Sequence, residues 1–164
     1  MSKYKQGQNF LKQPSRKGLN QFYRLQTKKT EKVANPILQK SLDSGTLNND
    51  NINNFLKDAT FLVPTKIKVR HFKQNQINFF LLSQNNYPTV KYLPIFTDWN
   101  HLGKWYFSIS GKNYNNQKNI QIAAIPSQDI KDIILKLKDN ITHVLINPVS
   151  NDFVLSFSSK KLDQ

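Results

Sequence analysis

Between residues 120 and 146 the hydrophobic pattern changes period twice, and that change limits the folds open to the chain. Residues 120–125 (IQIAAI) form a mostly apolar, strand-like run. Pro126-Ser127 then opens a helix. In it Ile130, Ile133, Ile134 and Leu137 recur at i, i+3, i+4 and i+7, with Lys131, Lys136 and Lys138 outside that stripe. Asp129 falls in its first turn and lysines near its last, which suits the helix dipole. Residues 141–146 (ITHVLI) return to a strand run. Apolar faces of both periods must be buried against one another, so helices layered on a sheet are expected.

The chain from residue 33 to 158 continues in this manner. Asn35-Pro36 is a helix start, Asn as the cap and Pro at the first helical position. The helix 36–43 is expected to bury Ile37, Leu38 and Leu42, and Gly45 to end it. A second helix, 50–58, follows Asn48-Asn49 and places Ile52, Phe55 and Leu56 on one face. Residues 60–70 read as a strand whose second half alternates Ile67 and Val69 with Lys66, Lys68 and Arg70. Residues 77–82 (INFFLL) are nearly continuously apolar, the mark of a strand covered on both faces. With the turn at 84–88 and a strand over 90–96 they suggest a hairpin. Thr97 is expected to cap a short helix, 98–105, carrying Trp99, Leu102 and Trp105. A polar loop over 111–119, a turn at 147–151 and a closing strand at 153–157 complete the order α-α-β-β-β-α-β-α-β-β. The prediction is one α/β domain, a mixed sheet of five or six strands packed with helices. Residues 159–164 form a short tail.

Charge sets the first 32 residues apart. They carry nine Lys/Arg and one acid, Glu31, for a net charge of +8, whereas the remaining 132 residues carry +6. Pro14 and Gly18 interrupt any periodic pattern there, so residues 1–32 read as a basic arm, flexible or folded only conditionally. One stretch can coil: after Ser15, Leu19, Phe22 and Tyr23 fall at helical spacing among Arg16, Lys17 and Arg24. Arg16, Lys17, Arg24, Lys28, Lys29 and Lys32, with Tyr4, Phe10, Phe22 and Tyr23 interleaved, have the composition of segments that contact phosphates and stack on bases. The same residues suit an anionic membrane surface through Leu19, Phe22 and Tyr23, or a merely solubilising tail. Lys66, Lys68 and Arg70 share one strand face. They read as protection of an exposed sheet against aggregation or as a second strip for polyanions.

Catalytic signals are weak. The five glycines are isolated, so neither GxGxxG nor GxxxxGK[ST] can be written. With no cysteine, thiolate metal sites, disulfides and a Cys nucleophile are excluded. His71, His101 and His143 have no partner at HExxH-like spacing. Asp98 and His101 can meet on a short helix. Asp129 and Asp132 are explained by the helix dipole, and no GxSxG occurs. No apolar run reaches the roughly 18 residues of a membrane span. Neither a cofactor nor a metal is expected, and the protein is expected to be cytoplasmic and not an enzyme.

Four segments resemble the N-terminal domain of the enhanced-serine-sensitivity (SseB) family of bacteria. They are Asn35-Pro36-Ile37-Leu38, Phe61-Leu62-Val63-Pro64, Leu93-Pro94-Ile95-Phe96-Thr97-Asp98 with Trp105 beyond, and Leu145-Ile146-Asn147-Pro148. The resemblance covers residues 33–158 and implies a compact α/β domain with no catalytic residues to transfer. Larger members carry a second, C-terminal domain, and the resemblance here extends to the first alone, so no function of the second is expected from it. The shared residues read first as structural: a helix cap at Thr97, a strand end at Pro94, an Asx-type turn at Asn147-Pro148. Alternatively Phe96, Thr97, Asp98, Trp105, Asn147 and Pro148 line a groove, if the strands before both turns run parallel and leave the sheet at one edge. Two functions are expected on this footing. One is an accessory module binding an unknown protein partner. The other is a protein that binds nucleic acid through the basic arm.

Overall fold

The computed structural model describes residues 14–66, 78–84, 86–108, 120–137, 141 and 143–156. Their helices are α1 (Arg16–Tyr23), α2 (Pro36–Ser44), α3 (Ile52–Leu56), α4 (Trp99–Tyr106) and α5 (Ser127–Lys136). Their strands are β1 (Thr60–Lys66), β2 (Asn78–Phe79), β3 (Leu82–Gln84), β4 (Tyr87–Ile95), β5 (Ile120–Pro126), β6 (His143–Ile146) and β7 (Phe153–Ser156). The fold is mixed α/β. Ile67, Val69, Lys68, Arg70, the loop 111–119 and the tail 159–164 lie outside the described residues.

One sheet of five or six strands is not what the described strands form. They make a three-stranded sheet, β2-β1-β5, and a four-stranded sheet, β3-β4-β6-β7. A single antiparallel bridge, Leu62 to Phe96, links the two, with both N–H···O bonds at 2.9 Å. The reason lies in the register. The next hydrogen-bonded pair along that seam would set Pro64 against Pro94, and neither has an N–H to donate. The ladder therefore stops after one rung. The expected hairpin 77–96 divides between the two sheets as well: Phe79 pairs with Thr65 of β1, whereas Leu82 pairs with Tyr92 of β4.

Two apolar clusters flank the strands. Phe61 and Val63 of β1 join the first, with Leu93, Ile95, Val144, Ile146 and the inner faces of α2, α3 and α5. Leu62 points the other way into the second, with Phe80, Phe96, Leu102, Trp105 and Phe22. The apolar run at 79–82 alternates between them: Phe79 and Leu81 pack on the first, Phe80 and Leu82 on the second. On α2, Leu38 and Leu42 are buried one turn apart, while Ile37, expected inside, faces solvent. Gly45 ends α2 with φ 68°, a left-handed residue as a helix end requires.

The basic arm differs most from expectation. Residues 1–13 lie outside the described residues, but residues 14–32 do not stand off from the domain. Ser15 caps α1, accepting from Gly18 N at 3.1 Å. Phe22 is 4% exposed, its ring 5.6, 5.0 and 5.4 Å from those of Trp99, Tyr106 and Phe107. Gly103 of α4 permits this approach: a Cβ there would meet the Phe22 ring at 3.3 Å, whereas one on Gly18 would be in ordinary contact with Phe107 at 3.7 Å. Farther on, Trp99 Nε1 donates to Thr30 O at 2.8 Å, and Leu25 and Val33 pack on the same cluster.

Phe22→Ala is accordingly expected to destabilise by about 3 kcal/mol, and Trp105→Ala, fully buried between Phe80 and Phe96, by about 3–5 kcal/mol. Urea unfolding of the two variants checks both. Removal of residues 1–32 should lower the melting temperature clearly; an unchanged melt would mean that the Phe22 contacts contribute nothing.

Candidate functional site

β4 and β6 run parallel, Ile95 beside Ile146, so the turns that follow them leave the sheet side by side. This is the arrangement on which the groove expectation depended. Asn147 N donates to Ile95 O at 2.9 Å, and Thr97 N donates to Asn147 Oδ1 at 3.0 Å. The Asn147 Nδ2 group faces Thr97 Oγ1 at 3.0 Å, Asn151 Oδ1 at 2.9 Å and Gln39 Oε1 at 3.1 Å. Thr97 Oγ1 in turn donates to Gln39 Oε1 at 2.6 Å. Gln39 and Asn151 each donate to Asp43 Oδ1, at 2.7 and 3.0 Å. The two turns and one flank of α2 are thus a single polar clasp.

Phe96, Thr97, Trp105, Asn147 and Pro148 are all buried, and the polar groups of Thr97 and Asn147 face each other and Gln39. Phe96 and Trp105 belong to the second apolar cluster. Only Asp98, of the six residues expected to line a groove, is partly exposed. Asp98, not Thr97, caps α4: its Oδ1 accepts from His101 N at 2.9 Å, while the Thr97 hydroxyl is engaged with Gln39. Asn35, expected to cap α2, makes no cap bond. Its Nδ2 bridges Thr60 O and Thr97 O, both at 2.8 Å, tying the chain before α2 to β1 and to the clasp.

His101 Nδ1 meets Asp98 Oδ1 at 2.8 Å, as their spacing suggested. Burial pushes the Asp98 carboxyl up. The hydrogen bonds from the His101 ring and backbone N–H, the His101 charge and the Thr97 hydroxyl outweigh it and hold Asp98 below its ordinary value. The pair is thereby explained as a cap and its orienting partner. Among the described residues no group of three His, Asp or Glu is placed to hold a metal ion. His143 is half-buried, its ring 5.3 Å from Tyr92.

The second candidate surface is the docked basic segment. Arg16, Lys17, Arg24, Lys28, Lys29 and Lys32 are all exposed. On the helical wheel, Phe22 and Gly18 of α1 face α4, so Arg16, Lys17, Asn20, Gln21, Tyr23 and Arg24 form its outward side, where all six are exposed. That side carries no acid. Lys66 is exposed elsewhere, its Nζ 5.1 Å from the centre of the Phe80 ring; Lys68 and Arg70 are not among the described residues. Sequence reasoning gave Asn35 a capping role and Asn151 a place in a turn, and it passed over Gln39 and Asp43. The chain's 20 asparagines read only as a compositional bias.

Two outcomes follow for the clasp. Asn147→Ala should cost about 3 kcal/mol, since it orphans the buried Thr97 N–H and puts alanine at a φ of 52°. Asn147→Gly, which adopts that φ freely, should still destabilise in urea unfolding; a neutral glycine variant would show that backbone freedom alone holds the turn. Asp98→Ala should cost about 1 kcal/mol at neutral pH. Because Asp98 binds its proton more weakly when folded, its contribution is complete above the ordinary value of 3.8 and is lost as pH falls through the lowered value. The deficit of the variant, followed by unfolding across acid pH, should therefore shrink below that point.

Compared with family models, with curated proteins and with solved structures, the chain has no match.

Proposed function

We propose that this chain is a non-enzymatic binding domain of the SseB N-terminal type whose working surface is the docked segment 16–32, and that its partner is a nucleic acid. The observation that carries the reading is the division of α1 into two sides. Its apolar side is taken up by the domain: Phe22 is enclosed by Trp99, Tyr106 and Phe107. What remains outside is cationic and amide-bearing, and the three lysines at 28, 29 and 32 continue it.

This division weighs between the partners that a basic segment suits. An amphipathic helix binds a membrane by burying its apolar face among lipid chains; here Phe22, the centre of that face, is already buried in protein and Leu19 is half-buried, which leaves Tyr23 alone of the three exposed. Phosphates need only fixed cations and donors, which the outward side supplies. No helix among the described residues is long and apolar enough to cross a membrane. The absence of catalysis is supported by the clasp, where the Asp98–His101 pair and the Thr97 hydroxyl are engaged in holding turns together.

Binding of a labelled oligonucleotide, followed by anisotropy across salt concentrations, tests the proposal. Six cations in contact with about four phosphates of a single strand should give a log–log salt slope of about −3, from roughly −0.7 per phosphate. Neutralising Arg16, Lys17 and Arg24 to Gln should reduce the slope by about two units, and Lys66→Gln by less than one. Absence of binding at low salt would overturn the proposal. Binding to anionic vesicles without binding to oligonucleotide would turn the same surface toward membranes.

A further inference from the structure

We infer that the nucleic acid taken by the α1 surface is single-stranded, and that Tyr23 is the side chain on which its bases stack. The inference rests on the nucleic-acid reading of the same surface and narrows it. Of the four aromatic residues interleaved in the basic segment, Tyr4 and Phe10 lie outside the described residues. Phe22 is enclosed by three rings of the domain and offers no face to a ligand. Tyr23, the next residue along the helix, is 57% exposed. Its ring lies 5.8 Å from that of Phe22, tilted by 55°, so an anchored ring backs it on one side.

Around the tyrosine the chemistry is that of a strand-binding surface. Arg16 and Asn20 neighbour it on the outward side of α1, Arg24 follows it, and Lys28 and Lys29 lie just beyond the helix. Cations that track a backbone beside an exposed aromatic ring are how proteins hold single strands without reading sequence. A duplex keeps its base faces inside its own stack and can use only the cations. A single strand can use both. The tyrosine hydroxyl takes no part in stacking, so phenylalanine should serve as well.

The full chain should be titrated against three labelled oligonucleotides of equal length: a mixed-sequence single strand, an abasic strand with the same phosphates, and a duplex. The single strand should bind about tenfold more tightly than the abasic one. Tyr23→Ala should remove that difference while leaving abasic and duplex affinities and the salt slope unchanged, and Tyr23→Phe should preserve it. Equal binding of single and abasic strands by the unmodified chain, or the same loss on all three in Tyr23→Ala, would overturn the role of Tyr23 and leave the nucleic-acid reading standing. Failure of all three to bind at low salt would overturn both.

Discussion

The bridge between Leu62 and Phe96 sets the rest of the structure, because the pair that would extend it is Pro64 against Pro94. A rung without a donor on either strand cannot form, so the two sheets share a packed core but are joined in their backbone ladder at this one bridge. β3 and β2 can then occupy the edges that a continuous sheet would have closed. Around the bridge the chain is held residue by residue. Ile95 O receives the N–H of Asn147 on one side, Phe96 pairs with Leu62 on the other, and Thr97 N returns to the Asn147 side chain. Three consecutive residues fixed in this way leave α4 little choice of direction. α4 in turn carries Trp99, Gly103 and Tyr106, against which α1 docks.

The turn that completes the clasp holds backbone conformations that side chains usually avoid. Asn147, Val149 and Asp152 have φ values of 52°, 78° and 51°. Asn and Asp tolerate this region, and the valine is the costly member. Its strain is of order 1–3 kcal/mol, and burial of its side chain in the second cluster returns about as much. The carbonyl of Asn147 accepts the N–H groups of Ser150, Asn151 and Asp152, so the turn closes on the residue that also binds Thr97. The polar clasp and the apolar cluster therefore support each other. Removing either exposes the strain that the other offsets.

Much of this was legible in local pattern. The 3.6-residue stripe of Ile130 and Ile134 and the turn at Gly45 announced elements that the fold contains, while the apolar run at 77–82, read as one strand covered on both faces, does face both clusters but divides between β2 and β3. What failed depended on register or on neighbours distant in sequence. Both prolines stand in plain view, but only pairing sets Pro64 opposite Pro94, so one sheet was read where two exist. Phe22 and Tyr23 are equivalent in a basic, aromatic segment until α4 selects one of them. Asn35 and Asn147 stand out in the sequence by the prolines that follow them, as a cap and a turn, but the buried carbonyls and amides they actually reach are set by distant neighbours. Composition suggested an arm; three rings, 77 residues and more farther along the chain, hold its second half in place.

Docking changes what the basic segment can do. As a free coil its cations would spread apart, and any ligand would bear the entropy of ordering them. Fixed on α1, Arg16, Lys17 and Arg24 lie within about 12 Å along the helix axis, from the rise of 1.5 Å per residue. Their mutual repulsion works against docking, and the burial of Phe22, of order 1.5–3 kcal/mol, works for it. A polyanion relieves the first term without touching the second. It should therefore hold the segment more firmly on the domain than the segment holds itself, and the ring of Tyr23, raised beside those charges, would meet whatever lies between the phosphates.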